Sequence, residues 1–394
     1  MPQPSILHAV VAGLIAAFVG FASSFPVVIK GLTAIGANDA EAASGLMALA
    51  LAMGLSGIAL SFVTRMPISV AWSTPGAALL ASTGAISGGF PAAVGSFLIV
   101  GALLVAAGLI RPLGRAVAAI PSPLANAMLG GVLFSLCLAP VKAMVETPAE
   151  AAAIIALWLV VARWKRLYAT PAAAILAMLL IAFAHHGEAT GFASLTPKAL
   201  FVTPSFSLSG TISLALPLFI VTMASQNIPG LAVLTASGYR PNPSSLIATT
   251  GFFSLLSAPF GGHAVNLAAI TAALCASPDA HPDPAKRWIA AAAAGATYVV
   301  FGLSAGAVTS LFAGSPVLVE AVAGLALLGA FGSALAGALA DTEAREAALA
   351  TFLTTASGVS FFGVGGAFWG LAAGGAILAL SRAGARLRTP TPAS

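Results

Sequence analysis

Apolar residues run in blocks of about 20 along almost the whole chain, the length that spans a bilayer core as an α-helix. Gly, Pro and single charges separate the blocks. They fall near 7–30, 42–63, 67–87, 91–110, 121–138, 149–162 and 169–184, then near 211–237, 244–258, 263–276, 285–309, 315–338, 345–360 and 365–382. Seven precede and seven follow a more polar stretch, 185–210 ("HHGEATGFASLTPKALFVTPSFSLSG"). The pattern predicts an all-α polytopic membrane protein of about 14 transmembrane segments: a first repeat over 1–184, a linker over 185–210, and a second repeat with its tail over 211–394.

Two blocks break the helical pattern. "PISVAWSTPGAALL" (67–80) places Ser69, Trp72, Ser73 and Thr74 before the pair Pro75-Gly76. Its first part alternates and contains β-branched residues, which predicts an extended stretch. Ser73 or Thr74 can then cap a short helix with proline in its first turn. "FGGHAVNLAAITAAL" (260–274) is its counterpart, with glycines and the polar pair His263 and Asn266 before a helical run. Non-helical backbone at membrane depth is tolerated only inside protein or beside a cavity.

Seven spans per half is an odd number, so the two halves would lie oppositely in the bilayer. Internal likeness supports this: "ASSFP" (22–26) with "ASQNIP" (224–229), "PGAALLAS" (75–82) with "ITAALCAS" (270–277), and "SPLANAMLGG" (122–131) with "SPVLVEAVAG" (315–324). The offsets of 202, 195 and 193 residues keep chain order. Inverted repeats with broken helices in matching spans are an architecture of secondary transporters, with the site at the breaks.

Composition agrees. Mean hydropathy is +1.02 and 7% of residues are charged, against about 25% in soluble globular chains. With the N-terminus in the cytoplasm, 13 of the 16 basic residues face inward: Arg65, Arg111, Arg115, Arg163, Lys165, Arg166, Arg240, Lys286, Arg287, Arg345, Arg382, Arg386 and Arg388. Only Lys30, Lys142 and Lys198 fall outside, a positive-inside bias that places both termini in the cytoplasm. The net charge of +5 is thus a topology signal and not a nucleic-acid patch. The first block reads as a retained helix rather than a removed signal peptide. Cys137 and Cys275 lie in apolar runs and read as packing residues. The pair His185-His186 lacks a third ligand at a metal-site spacing, and no metal or other cofactor is expected.

The chemistry follows from helix ends. Two half-helices with facing N-termini would hold an anion without lysine or arginine. Candidate substrate-binding residues are Ser23, Ser24, Phe25, Ser69, Trp72, Ser73, Thr74, Gln226, Asn227, Phe260, His263 and Asn266. Several have a second reading. Gln226, Asn227, Ser23 and Ser24 could join helices by hydrogen bonds, Trp72 could anchor at the interface, and Phe25 and Phe260 could be ordinary core. Intramembrane titratable groups are functional candidates, so His263, placed at the start of the tenth-span helix, and Glu320 are the proton-coupling candidates. A structural histidine and a solvent-facing glutamate are the competing readings. The segments near 7–30, 67–138, 211–237, 244–276 and 285–338 are expected to carry the site, the remaining helices forming a scaffold or gate.

"PISVAWSTPGAALL", "TMASQNIPGLAVL", "GGHAVNLAAITAAL" and "HPDPAKRW" resemble the bacterial benzoate/proton symporter family across almost the whole chain. More distantly the chain is similar to uracil/xanthine permeases and sulfate transporters. The resemblance implies a multi-pass permease of the bacterial inner membrane that imports benzoate or a similar aromatic carboxylate with protons. It also implies a seven-plus-seven inverted fold with core and gate domains and short strands in the third and tenth spans. The nucleobase relatives carry carboxylates in the eighth and tenth spans, where this chain has Gln226 and the His263–Asn266 stretch. That change favours an acid as substrate and leaves the proton carrier open. A channel or uniporter for small organic or inorganic anions is the alternative. An enzyme is not expected, because no nucleophile–base pair is visible in the spans. The sequence leaves a homodimer open.

Overall fold

A computed structural model of the chain describes residues 6–110, 112, 119–184, 197–312, 315–362 and 364–388. The start of the linker with His185 and His186, the loop residues Arg111 and Arg115, and the end of the tail lie outside the described residues. The first half runs α1 (Ile6–Ala34), α2 (Asp39–Thr64), β1 (Val70–Trp72), α3 (Thr74–Thr83), α4 (Gly89–Leu109), α5 (Ser122–Cys137), α6 (Ala139–Glu146), α7 (Pro148–Lys165) and α8 (Ala169–Ala184). The second half begins with α9 (Leu208–Ala236), α10 (Pro243–Ser257), β2 (Val265–Leu267) and α11 (Ile270–Ala276). It continues with α12 (Trp288–Leu303), α13 (Ala305–Phe312), α14 (Pro316–Leu339), α15 (Arg345–Ala356) and α16 (Gly366–Arg388). Every block expected from hydropathy has its helix or strand–helix pair.

Eight helical runs among the described residues are long and apolar enough to cross a membrane. Two segments are short for a structural reason. In β1–α3 and β2–α11 an extended stretch covers part of the depth, because a strand advances about 3.3 Å per residue against about 1.5 Å in a helix. Phe62, Val63, Leu159, Trp164 and Phe252 are exposed on the outside of the bundle, as a lipid-facing surface requires.

The helices pack in two groups. In one, α12 lies on α1 and α2, α10 on α4, and α3 on α1, with α9 closing over α3, α4 and α11. In the other, α5 packs on α14, α15 and α16, while α6, α7 and α8 lean on α14. The groups meet where α1 faces α14 and α3 faces α5. Of the segments expected to carry the site, 121–138 and 315–338 form α5 and α14, which pack with the second group; α14 lines the cavity described below and α5 does not. Small residues allow the close crossings. A Cβ on Gly54 of α2 would come 2.6 Å from the Gly295 carbonyl oxygen of α12, and one on Gly295 would come 2.7 Å from that of Gly54.

Between the half-helices, β1 and β2 pair antiparallel, with Val70 opposite Leu267, Ala71 opposite Asn266 and Trp72 opposite Val265. Ser73 N donates to Ala264 O at 3.0 Å, and Ala268 N to Ser69 O at 3.0 Å, extending the ladder by one residue at each end. A buried two-stranded ribbon still has outward N–H groups, and these need partners. Side chains supply them on β2. Val265 N donates to Ser254 Oγ at 2.8 Å, and Leu267 N to Asn227 Oδ1 at 3.0 Å. Ser73 caps α3, its Oγ accepting from Gly76 N at 3.1 Å with Pro75 in the first turn. Gly76 has to be glycine-sized: a Cβ there would lie 2.5 Å from Leu218 Cδ1 and 2.7 Å from Ser73 Oγ. The cluster that interrupts 67–80 is therefore a strand, a cap and a helix start.

Candidate functional site

The N-termini of α3 and α11 open onto one cavity of about 510 Å³, within the usual range for small-molecule sites. Thr74 and Pro75 line it from α3, and Ala268 to Thr271 from the approach to α11. Gly20, Ser23 and Ser24 of α1, Gln226 of α9 and Tyr298 of α12 add to the wall. Across from them stand Trp158, Arg166 and the α14 face from Leu325 to Ser333. The cavity thus lies between the two helix groups.

Five sequence candidates line it: Ser23, Ser24, Trp72, Thr74 and Gln226. Their hydrogen bonds separate two kinds of wall. Trp72 Nε1 donates to Ser24 Oγ at 2.9 Å, and Ser24 in turn donates to Gly20 O at 2.7 Å. Ser23 donates to Gly20 O at 3.3 Å. Phe21 sits against Trp72 at 5.2 Å between ring centroids. These groups are committed to each other and form a rigid aromatic shelf. Thr74 and Gln226 differ: neither side chain bonds to another described residue, and both face the cavity. They are the polar ends free to meet a solute.

Gln226 owes its position to a feature invisible in hydropathy. Residues Met223–Asn227 form a π-helical turn within α9, a widened turn frequent at functional sites. It sends adjacent amides to different places, Gln226 to the cavity and Asn227 to the edge of β2. Asn227 is fully buried, and its Nδ2 points at Met223 Sδ at 3.4 Å.

The other candidates do not line the cavity. Ser73 is the α3 cap and also accepts from Thr222 Oγ1 at 2.9 Å. Ser69 pairs with Thr271, 2.7 Å between hydroxyls, and so supports the wall from behind. Phe25 is buried against Phe21 with centroids 5.6 Å apart, and Phe260 stands edge-on to Phe201 at 6.1 Å. Asn266 donates to Leu267 O at 2.9 Å while its Oδ1 is buried without a partner, behind Ala71. His263 is the largest correction. It precedes β2 rather than starting α11, is fully buried, and places Nε2 2.9 Å from Ser73 O and its ring edge-on to Phe97. It backs the α3 cap and does not line the cavity. Glu320, the other titratable candidate, pairs with Lys30, joining α14 to α1 outside the cavity.

Sequence reasoning missed Arg166. It reads there as one more basic loop residue, yet the turn between α7 and α8 brings it to the cavity wall, where no carboxylate stands among the described residues. Tyr298 and Ser333 were also missed, since a single polar residue in an apolar run carries no signal of its own. In "HPDPAKRW" the arginine is structural. Arg287 donates to the carbonyls of Ala276, His281 and Pro282, closing the C-terminal end of α11.

Residues 3–380 match the family described as benzoate membrane transport protein. Over 376 residues, 95% of each chain, the protein is 40% identical to the inner membrane protein YdcO of Escherichia coli. Over 380 residues, again 95% of each, it is 31% identical to the benzoate membrane transport protein of Acinetobacter baylyi. Its fold is similar to the transmembrane domain of the cyanobacterial bicarbonate transporter BicA (TM-score 0.59, 14% identity, 95% of this chain and 96% of that one). It is also similar to the murine anion transporter Slc26a9 in the inward-facing state (TM-score 0.63, 11% identity, 99% of this chain and 70% of that one). The fold is accordingly the all-α, seven-plus-seven inverted-repeat membrane fold with short strands in the third and tenth spans. The protein is a membrane transporter and not an enzyme. The chain belongs to the benzoate membrane transport protein family.

Proposed function

We propose that the protein imports benzoate or a similar aromatic carboxylate by proton symport with alternating access. One observation carries the reading. The free Thr74 hydroxyl and Gln226 amide line one cavity at the start of α3, whose wall is otherwise mostly apolar and contains no acidic residue among those described. The helix start favours negative charge by its dipole, and two neutral donors add hydrogen bonds without repelling it. Trp158 offers flat apolar surface to a ring, and the buried Trp72 touches the cavity only at its edge.

In this reading residues 1–184 and 211–394 are the two repeats, 185–210 joins them, and both termini face the cytoplasm, as the basic loops favour. Transport moves the α1–α4/α9–α12 group against the group built on α5 and α14. The Lys30–Glu320 pair ties these groups on the outer side, and the cavity reaches toward Arg166 on the inner side. Of the two titratable candidates we assign the proton to Glu320. Protonating it removes the charge that holds Lys30, so the outer tie loosens when protons arrive from outside. His263 is sealed behind Ser73 and holds the α3 cap.

The test is equilibrium binding of benzoate and of neutral benzamide to purified protein. Benzoate binding that weakens in Gln226→Ala while benzamide binds poorly throughout supports the reading. Equal binding of acid and amide sinks it.

A further inference from the structure

Arg166 belongs to two cavities. The first is the 510 Å³ cavity that holds Thr74 and Gln226. The second, of about 610 Å³, opens beside it and is lined by Leu7, Val11 and Ile15 of α1, by Lys165 to Tyr168, and by α11 and the residues after it. Arg166 and Leu167 are the residues common to both linings. They sit on the single 3₁₀ turn, Arg166–Tyr168, that joins α7 to α8.

The guanidinium reaches across from that turn to α14. One terminal nitrogen lies 3.6 Å from where a Cβ on Gly329 would stand, so the absence of a side chain at 329 leaves it room. Arg166 is exposed, and its side chain makes no hydrogen bond or ion pair with another described residue. Lys165 adds a second positive charge to this second cavity, the vestibule, and Asp279 and His8 are the other titratable groups on its wall with Tyr168. A guanidinium is always charged, and its fork matches a carboxylate with two parallel hydrogen bonds. An unpaired one on the boundary between a binding cavity and its vestibule is a ready partner for an anion passing between them.

We infer that Arg166 is a second carboxylate-binding residue, a subsite on the cytoplasmic side that takes the substrate anion between the Thr74–Gln226 position and the vestibule. The inference rests on the transport reading and orientation proposed above. Gly329 is a positioning residue for it, keeping the space the guanidinium occupies. Because the subsite is exposed to solvent, its attraction is screened by salt.

The test compares benzoate transport entering from the cytoplasmic face in inside-out vesicles with entry from the outer face in right-side-out vesicles. Arg166→Gln is expected to raise KM at the cytoplasmic face about tenfold, the loss typical of one hydrogen-bonded charge, and to leave the outer-face KM within about twofold. Arg166→Lys should fall between, and Gly329→Leu should resemble Arg166→Gln. The rise of the wild-type cytoplasmic KM with salt should flatten in Arg166→Gln. An unchanged cytoplasmic KM in Arg166→Gln overturns the inference, as does an equal rise at both faces, which marks a structural role. If Gln226→Ala loses benzoate binding while Arg166→Gln behaves as wild type, the binding cavity stands and only the subsite falls. No benzoate transport by wild-type protein overturns both.

Discussion

Gln226 and Asn227 are neighbours in sequence with identical chemistry, but one lines the cavity and the other bonds the edge of β2, so on the proposed reading their alanine variants should fail in opposite ways. Gln226→Ala removes a cavity-facing amide that bonds to no other described residue. Folding should be untouched, and what is lost is one hydrogen bond to a charged solute, about 1.5–3 kcal/mol. At about 1.4 kcal/mol per decade this is one to two decades in Kd for benzoate. Asn227→Ala removes the acceptor for Leu267 N–H, held at 3.0 Å on the outer edge of β2. That N–H is then buried without a partner, at a cost of about 1–3 kcal/mol to the folded state. The apparent Tm in detergent should fall by about 2 °C or more. Binding should weaken only as far as the ribbon shifts. Thermal unfolding and benzoate titration on the same two preparations decide it. A destabilised Gln226→Ala with normal affinity, or a stable Asn227→Ala that no longer binds, refutes the assignment.

Ser73→Ala removes the α3 cap and the partner of Thr222, and should lower stability by about 1 kcal/mol and weaken binding, while Ser73→Asn restores part of both, read by thermal unfolding and titration. Gly54→Val forces a side chain onto the Gly295 carbonyl at the α2–α12 crossing, and should sharply reduce folded protein, measured as the monodisperse fraction after solubilisation. Glu320→Gln keeps the shape but removes the charge paired with Lys30; it should abolish the acceleration of uptake by an imposed pH gradient while leaving benzoate exchange at equal pH, and wild-type acceleration would clear Glu320 of proton coupling.

The fold was largely legible because the bilayer demands long apolar blocks, and breaks in them are costly enough to be meaningful. Pro75, Gly76 and the hydroxyls before them placed the α3 start at Thr74. The site was legible only in part. Polarity at 225–227 marked a span that reaches the cavity, but the π-turn that parts Gln226 from Asn227 depends on backbone geometry that composition does not encode. His263 looked functional because a titratable residue stood at a broken span; its ring instead props the Ser73 carbonyl, a contact between residues 190 positions apart. Arg166 was hidden for the converse reason. A basic residue between two apolar blocks has an adequate explanation in topology, and only the packing of α7 and α8 on α14 turns it inward.

The central claim, that an aromatic carboxylate is moved together with protons, is tested most directly by uptake of labelled benzoate into proteoliposomes with the exterior made acidic. The account predicts saturable accumulation above equilibrium that disappears when a protonophore collapses the gradient and that is reduced in Gln226→Ala to the level its Kd dictates. Passive permeation of the neutral acid is subtracted with protein-free liposomes. Protein-dependent flux that never exceeds equilibrium, fails to saturate, or appears as unitary currents would contradict it.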